Sequence, residues 1–323
     1  MSPIDTSFLS PSSKVFLSYI PPNIDYSKLT IEDVRNSPKA SLSDDIPRPN
    51  VILENIKIPA ATDGHPISVD VYRPKQSGDA ILPALVYLPG GGWGVKAQGA
   101  HPYLATKLAG ETNCVVLLVN YSLSPEVRFP VALEECYTVV SHATDPELAA
   151  KLRVDPKRVA LGGDSAGGNL TAAVTILAKQ RKDFKNSIKY QVLYYPATED
   201  TFATESYKKY GEGYYLTKSL VRLFFNNYKT EEAKDSILLC PGKATVEDVT
   251  GVPPALLVTG EADVLRDEGE SYGLKLLRAN VQVTSVRINA VIHGFMSIPM
   301  LHSEETLTVI DMTTKALRKV FGN

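Results

Sequence analysis

The sequence predicts an α/β fold, a mostly parallel sheet of about eight strands flanked by helices. Short apolar runs recur along the 323 residues, several rich in Val, Ile and Leu without polar alternation, as in strands covered on both faces. Helix-length segments separate successive runs. The alternation holds over roughly 270 residues, which suits one large domain with a modest appendage.

Residues 1–50 are polar and proline-punctuated, with short helical pieces near 7–19 and 28–36. They hold too little apolar surface for a separate core and are expected to pack over the rest as part of a lid. Residues 51–58 and 67–72 read as strands joined through the turn signal Asp63-Gly64, suited to an antiparallel edge. Further strands are expected at 84–88, 115–119, 158–161, 190–194, 255–259 and 283–288, and helices at 101–109, 133–143, 167–180, 267–279 and 304–321. The last helix follows Ser303 as a candidate N-cap and has Glu304 and Glu305 in its first turn. Leu307, Ile310, Leu317 and Val320 repeat on one of its faces. Between 195 and 251 the alternation lapses into a Tyr-rich insertion containing Tyr207, Tyr210, Tyr214, Tyr215 and Tyr228. The expected organisation is a main domain of 51–194 and 252–323, with 1–50 and 195–251 lying on top of it.

Composition narrows the function. With 44% hydrophobic and 22% charged residues the chain is an ordinary globular protein, and a net charge of −2 offers no electrostatic footprint for nucleic acid. Cys114, Cys136 and Cys240 are odd in number and match no metal-ligand spacing, so free thiols in a reducing compartment are expected. Residues 1–30 lack the apolar core of a signal peptide, and no stretch approaches the ~20 apolar residues of a membrane span. A cytoplasmic location follows as the expectation.

The strongest chemical signal is Gly162-Gly163-Asp164-Ser165-Ala166-Gly167-Gly168-Asn169. It contains G-x-S-x-G between an expected strand and an expected helix, the context a nucleophilic serine needs, because glycine on both sides permits the tight turn. Ser165 would then sit at the positive end of a helix. A second signal, Leu88-Pro89-Gly90-Gly91-Gly92-Trp93-Gly94, follows the strand at 84–88. Its glycines can aim N–H groups at a bound oxygen and, with the amide of Ala166, form an oxyanion hole. No Lys-Ser/Thr pair follows, which argues against a phosphate loop.

A serine hydroxyl needs a base. Of five histidines, His293 has the best position, in the loop Val291-Ile292-His293-Gly294-Phe295 beyond a strand. His65, beside a hairpin turn, and His142, within a helix, read as structural or solvated; His101 begins an expected helix and His302 precedes the last one. The base needs an orienting acid. Asp263, directly after the strand at 255–259, is favoured, with Asp267 and Glu261 as alternatives better explained by a helix start or a surface ion pair. The order Ser165, Asp263, His293 is that of α/β hydrolases.

These motifs resemble the hormone-sensitive-lipase-like esterases of the α/β-hydrolase fold, from about Pro83 to His293. Gly163-Asp164-Ser165-Ala166-Gly167-Gly168-Asn169 is similar to the family's GDSAGGN, and Tyr121-Ser122-Leu123-Ser124-Pro125-Glu126 to its YRLAPE. Asp263-Val264-Leu265-Arg266-Asp267-Glu268-Gly269 resembles DPLxDEG, and His293-Gly294-Phe295 resembles HGF. The resemblance implies Gly91, Gly92 and Ala166 as oxyanion donors, and a cap made of 1–50 and 195–251. Pro89 stands where the family has a histidine that supports the loop; activity is expected to survive. Glu126 and Asp164 are expected to hold the site together as hydrogen-bond acceptors.

The implied activity is a serine carboxylesterase acting on short- to medium-chain carboxylic esters through an acyl-enzyme, with no metal or organic cofactor. Phe202, Phe224, Phe225 and the insertion tyrosines are candidates for an apolar pocket. The alternatives are an amidase, lactonase or carbamate hydrolase with the same residues, or a non-catalytic hydrolase-like receptor, whose members lack the histidine that this chain has at 293. The expected partner is a small-molecule ester, and an edge strand such as 283–288 offers a route to a homodimer.

Overall fold

Apolar strands that cannot face water on either side assemble into one eight-stranded sheet. The computed structural model describes residues 4–21, 24–37, 40–43, 45–60, 65–184 and 187–322. In chain order the strands are β1 (Val51–Pro59), β2 (Pro66–Pro74), β3 (Leu82–Leu88), β4 (Val115–Asn120), β5 (Val154–Asp164), β6 (Ile188–Tyr194), β7 (Ala255–Ala262) and β8 (Val283–Ile292). They lie in the order β1-β2-β4-β3-β5-β6-β7-β8. The β1–β2 and β2–β4 pairs are antiparallel and the remaining pairs parallel. The expected antiparallel edge is therefore present, while the Asp63-Gly64 turn lies outside the described residues.

From β3 the chain passes outward to β4, then crosses back to β5 and proceeds to the edge strand β8. That reversal opens a crevice beyond the carboxyl ends of β3 and β5, where sheets of this kind hold ligands.

The helices are α1 (Pro11–Ser18), α2 (Ile31–Asn36), α3 (His101–Thr112), α4 (Val131–Thr144), α5 (Pro146–Lys151), α6 (Ala166–Arg181), α7 (Glu205–Tyr210), α8 (Lys218–Tyr228), α9 (Val246–Val249), α10 (Arg266–Arg278) and α11 (Glu304–Phe321). α3 packs with α11, and α4 with α6, so the sheet is covered on both faces. α6 is enclosed along most of its length, since Ala166 through Ala178 are all buried. Its small residues suit that enclosure. α5 is not among the expected helices, although Asp145 caps it by accepting from the amides of Glu147 and Leu148, ahead of Pro146.

α11 has the expected bounds but not the expected cap. Ser303 makes no capping bond, and among the described residues its buried hydroxyl has no partner. The buried face includes Thr306, Thr313 and Thr314 beside Val309, Ile310, Leu317 and Phe321, whereas Leu307 and Val320 are only half-buried. Threonine is tolerated there because its hydroxyl bonds backbone; Thr313 donates to the Val309 carbonyl at 2.8 Å.

Residues 195–251 contain the short helices α7, α8 and α9. Thr204, Thr217 and Thr245 cap α7, α8 and α9 by accepting from backbone amides, each such cap stabilising by about 1 kcal/mol. The segment is tied down at several points. Ser206 donates to the Val264 carbonyl at 2.6 Å, and the Phe129 amide to the Tyr228 carbonyl at 2.8 Å. All three cysteines are buried and free. No helix among the described residues is long and apolar enough to cross a membrane.

Candidate active site

β5 ends at Asp164 and α6 begins at Ala166, leaving Ser165 alone in the turn with φ +56° and ψ −118°. A non-glycine residue in that region is strained by roughly 1–3 kcal/mol. The turn is possible because its neighbours lack side chains: a Cβ on Gly163 would collide with the Gly167 backbone, and one on Gly167 with the Leu88 carbonyl. The Ser165 amide donates to the Tyr194 carbonyl at 2.9 Å, holding the strained residue in place.

Three distant side chains converge at this turn. The Ser165 hydroxyl lies 3.0 Å from His293 Nε2, and His293 Nδ1 lies 2.7 Å from Asp263 Oδ2. Asp263 is 1% exposed and His293 6% exposed. The second Asp263 oxygen accepts from the Leu265 amide at 2.9 Å, which fixes the carboxylate plane. Tyr195 packs edge-on to the imidazole with ring centroids 4.7 Å apart. The two alternative acids are engaged elsewhere. Glu261 accepts from the Ala290 amide, and Asp267 from the Ser206 amide and Arg266. The remaining histidines do not reach Ser165: His142 bonds its own helix, and His302 packs edge-on to Tyr103.

Gly91 and Gly92 occupy positive φ, +125° and +59°, which glycine alone adopts without strain. Among the described residues no acceptor is paired with either amide. Gly90 differs, since its amide donates to Asp164 Oδ1 at 2.9 Å. Ala166 opens α6, where the first amides have no intrahelical acceptor. A cavity of about 20 Å³ adjoins Ser165, lined by Gly92, Trp93, Ala166, Val221, Phe224 and Phe225 among others. Of the expected donors, Gly92 and Ala166 border it; Gly91 does not. Of the expected pocket residues, Phe202 sits one layer back, against Tyr207 and Phe225. Tyr207, Tyr210 and Tyr214 are packed into the core of the insertion, and none of the insertion tyrosines lines the cavity.

Asp164 is the acceptor the sequence suggests, with a partner it does not. One oxygen receives Tyr87 Oη at 3.0 Å, the Gly90 amide and, at 3.0 Å, His101 Nε2. The other His101 nitrogen lies 2.9 Å from the Gln98 carbonyl. Pro89 contributes by accepting from Tyr121 Oη at 2.7 Å. The glycine loop is thus moored through Asp164 and Tyr121, without a histidine at 89. Glu126 behaves otherwise than expected: its side chain is 60% exposed and pairs with Arg35 of α2. That bond holds it down to about 2. Asn169 bridges the turn to the insertion, donating to the carbonyls of Ala197 at 2.8 Å and Leu239 at 2.9 Å.

Burial opposes charge on both His101 and Asp164, but their mutual attraction and hydrogen bonds prevail, so His101 is raised and Asp164 lowered. A raised histidine stabilises fully below its unfolded value of ~6.5 and loses that contribution as pH rises through the folded value. A lowered aspartate stabilises above its unfolded ~3.9 and loses it on acidification. The pair is therefore worth most between roughly pH 4 and 6.5. Against His101→Gln, the wild-type melting advantage is expected to be largest near pH 6 and to shrink by roughly 2–4 °C toward pH 9. Thermal melts across that range check it, and an advantage that grows with pH would contradict it.

The family model for the alpha/beta hydrolase fold matches residues 85–297. A solved structure from a study of two fungal esterases of Rhizomucor miehei is 40% identical, with a TM-score of 0.89 and 97% of each chain covered. A putative alpha/beta hydrolase of Acanthamoeba polyphaga mimivirus is 29% identical over 97% of this chain and 88% of its own length. An ethyl acetate hydrolase of Pseudomonas putida is 33% identical over 80% of each. With these matches joined to the topology, the chain belongs to the hormone-sensitive-lipase-like family of α/β hydrolases.

Proposed function

We propose that this carboxylic ester hydrolase is a serine esterase in which Ser165 attacks the ester carbonyl, His293 takes its proton and Asp263 orients the imidazole. The observation that carries this reading is the continuous chain of short contacts from Ser165 through His293 to Asp263 at 3.0 and 2.7 Å. The tetrahedral oxyanion would rest on the amides of Gly91, Gly92 and Ala166. His293 then returns the proton to the departing alkoxide, and water repeats the cycle on the acyl-enzyme. Residues 1–50 and 195–251 serve as the cap over the site.

The cavity beside Ser165 supports the short end of the substrate range. The leaving oxygen must face His293, which is absent from the cavity lining, so the cavity takes the acyl group. Its volume of about 20 Å³ is little more than the ~10–15 Å³ that one water molecule requires. Phe224 closes it, packed so tightly on Gly92 that a Cβ there would collide with the ring. Each methylene that does not fit weakens transition-state binding by about 1–3 kcal/mol. The methyl of an acetyl group is of that size, and the ethyl acetate hydrolase among the relatives is named for such a substrate.

The test is labelling by a p-nitrophenyl phosphonate followed by peptide mass mapping, with a p-nitrophenyl ester chain-length series beside it. The adduct is expected on Ser165, and turnover to fall at least ~10-fold from acetate to octanoate. Phe224→Ala is expected to move the optimum up by roughly two to four carbons. An adduct elsewhere would overturn the mechanism, and a maximum on long-chain triglyceride would overturn the substrate class. Faster hydrolysis of an anilide than of the matched ester would favour the amidase alternative.

A further inference from the structure

The N-terminal segment reaches the glycine loop through one guanidinium. Arg35 Nε donates to the Gly94 carbonyl at 2.8 Å, and Nη2 donates to the Ser124 carbonyl at 2.9 Å and Glu126 Oε2 at 2.8 Å. Nη1 donates to Glu126 Oε1 at 2.6 Å and Glu32 Oε1 at 2.7 Å. All five N–H groups that an arginine possesses are thereby used. The carboxylates face solvent, where such pairs contribute little to stability. The two carbonyls are the informative partners.

Gly94 closes the turn that starts at Gly91: the amides of Gly94 and Val95 donate to the Gly91 carbonyl at 3.1 and 2.9 Å. Ser124 lies across from it and donates its amide to the Trp93 carbonyl at 2.9 Å. Arg35 therefore grips both strands of backbone around Trp93, while Ile31, one turn earlier on α2, is buried against Gly94. The direction of the Gly91 and Gly92 amides depends on this turn.

We propose that Arg35 is a positioning residue for the oxyanion hole, so that the N-terminal segment forms a working part of the site. The proposal rests on the serine esterase reading above. It predicts an effect on the transition state, where the oxyanion exists, and little on ground-state binding. Lysine is a poor substitute, because a single ammonium cannot reproduce the planar fork that spans two carbonyls and two carboxylates.

The experiment compares wild type with Arg35→Ala, Arg35→Lys and Glu126→Gln. The readouts are kcat and KM for p-nitrophenyl acetate, melting temperature, and inhibition by an aryl trifluoromethyl ketone. The ketone's adduct carries the same oxyanion. Arg35→Ala is expected to lower kcat about 10–100-fold, with KM within about threefold and ketone affinity falling in step with kcat/KM. Arg35→Lys should recover little, and added guanidinium ion should restore part of the Arg35→Ala activity. Glu126→Gln, which leaves both carbonyl bonds in place, should lose least. A kcat within about twofold of wild type, or a loss confined to KM, overturns the proposal. Should Arg35→Ala fail to fold, the ranking of Arg35→Lys against Glu126→Gln decides: equal losses refute the carbonyl grip. If wild type itself forms no adduct with the ketone, the serine esterase reading fails, separately from Arg35.

Discussion

Ser165→Ala is expected to melt within about 2 °C of wild type and to turn over p-nitrophenyl acetate at least ~10⁴-fold more slowly. The substitution removes one oxygen whose hydrogen bond runs to His293 at 3.0 Å, and it creates no cavity in the apolar core. The Cβ remains, so the strained backbone at φ +56° is unchanged. Loss of the nucleophile in enzymes of this chemistry costs on the order of 10⁶ in kcat, and what survives comes from the oxyanion donors and binding. Ser165→Gly separates strain from chemistry. Glycine adopts positive φ freely, so this variant should be as inactive as Ser165→Ala yet melt at a higher temperature. Steady-state kinetics and calorimetry on both variants check the pair. Residual turnover within tenfold of wild type in either would remove Ser165 from the reaction.

Much of the architecture was legible because a parallel sheet leaves a local trace. Unalternating runs rich in β-branched valine, such as Val115-Val116-Leu117-Leu118-Val119, too short for a helix of ordinary length, suit strands covered on both faces, and β4 is one. The residues meeting at Ser165 were legible for a related reason: each directly follows or ends a strand, and the strand ends converge on one rim. What escaped was tertiary in origin. His101 looks like an unremarkable helix start, and only the fold brings it to Asp164, 63 residues away. Arg35 carries no motif and acts on Gly94 from 59 residues distant. Glu126 was read as part of the site from its motif alone, whereas its carboxylate faces outward to Arg35. The threonine-lined face of α11 was missed because hydropathy does not register a hydroxyl that bonds its own helix. Asn169 was visible within the motif, yet its acceptors at Ala197 and Leu239 belong to the insertion.

Asp263→Asn is expected to fold and to lower kcat by about 10⁴, although it changes one atom and leaves the shape of the site intact. The reason lies in the second oxygen of the carboxylate. Oδ1 accepts from the Leu265 amide at 2.9 Å, so an asparagine must place its carbonyl oxygen there; the reverse orientation would oppose two donors. Its NH2 group then points at His293 Nδ1, 2.7 Å from the position of Oδ2. The imidazole can meet a donor there only by releasing the Nδ1 proton and carrying it on Nε2 instead. Nε2 faces Ser165 at 3.0 Å, and once protonated it donates to the hydroxyl and cannot accept its proton. The ring stays in place and the base is lost. Phosphonate labelling, which needs the same proton removal, should slow by a similar factor, while the melting temperature moves by only a few degrees. A loss below about tenfold would mean that another carboxylate orients the imidazole. Asp267 and Glu261 are the nearby acids, and each is already held by a backbone amide, from Ser206 and Ala290 respectively.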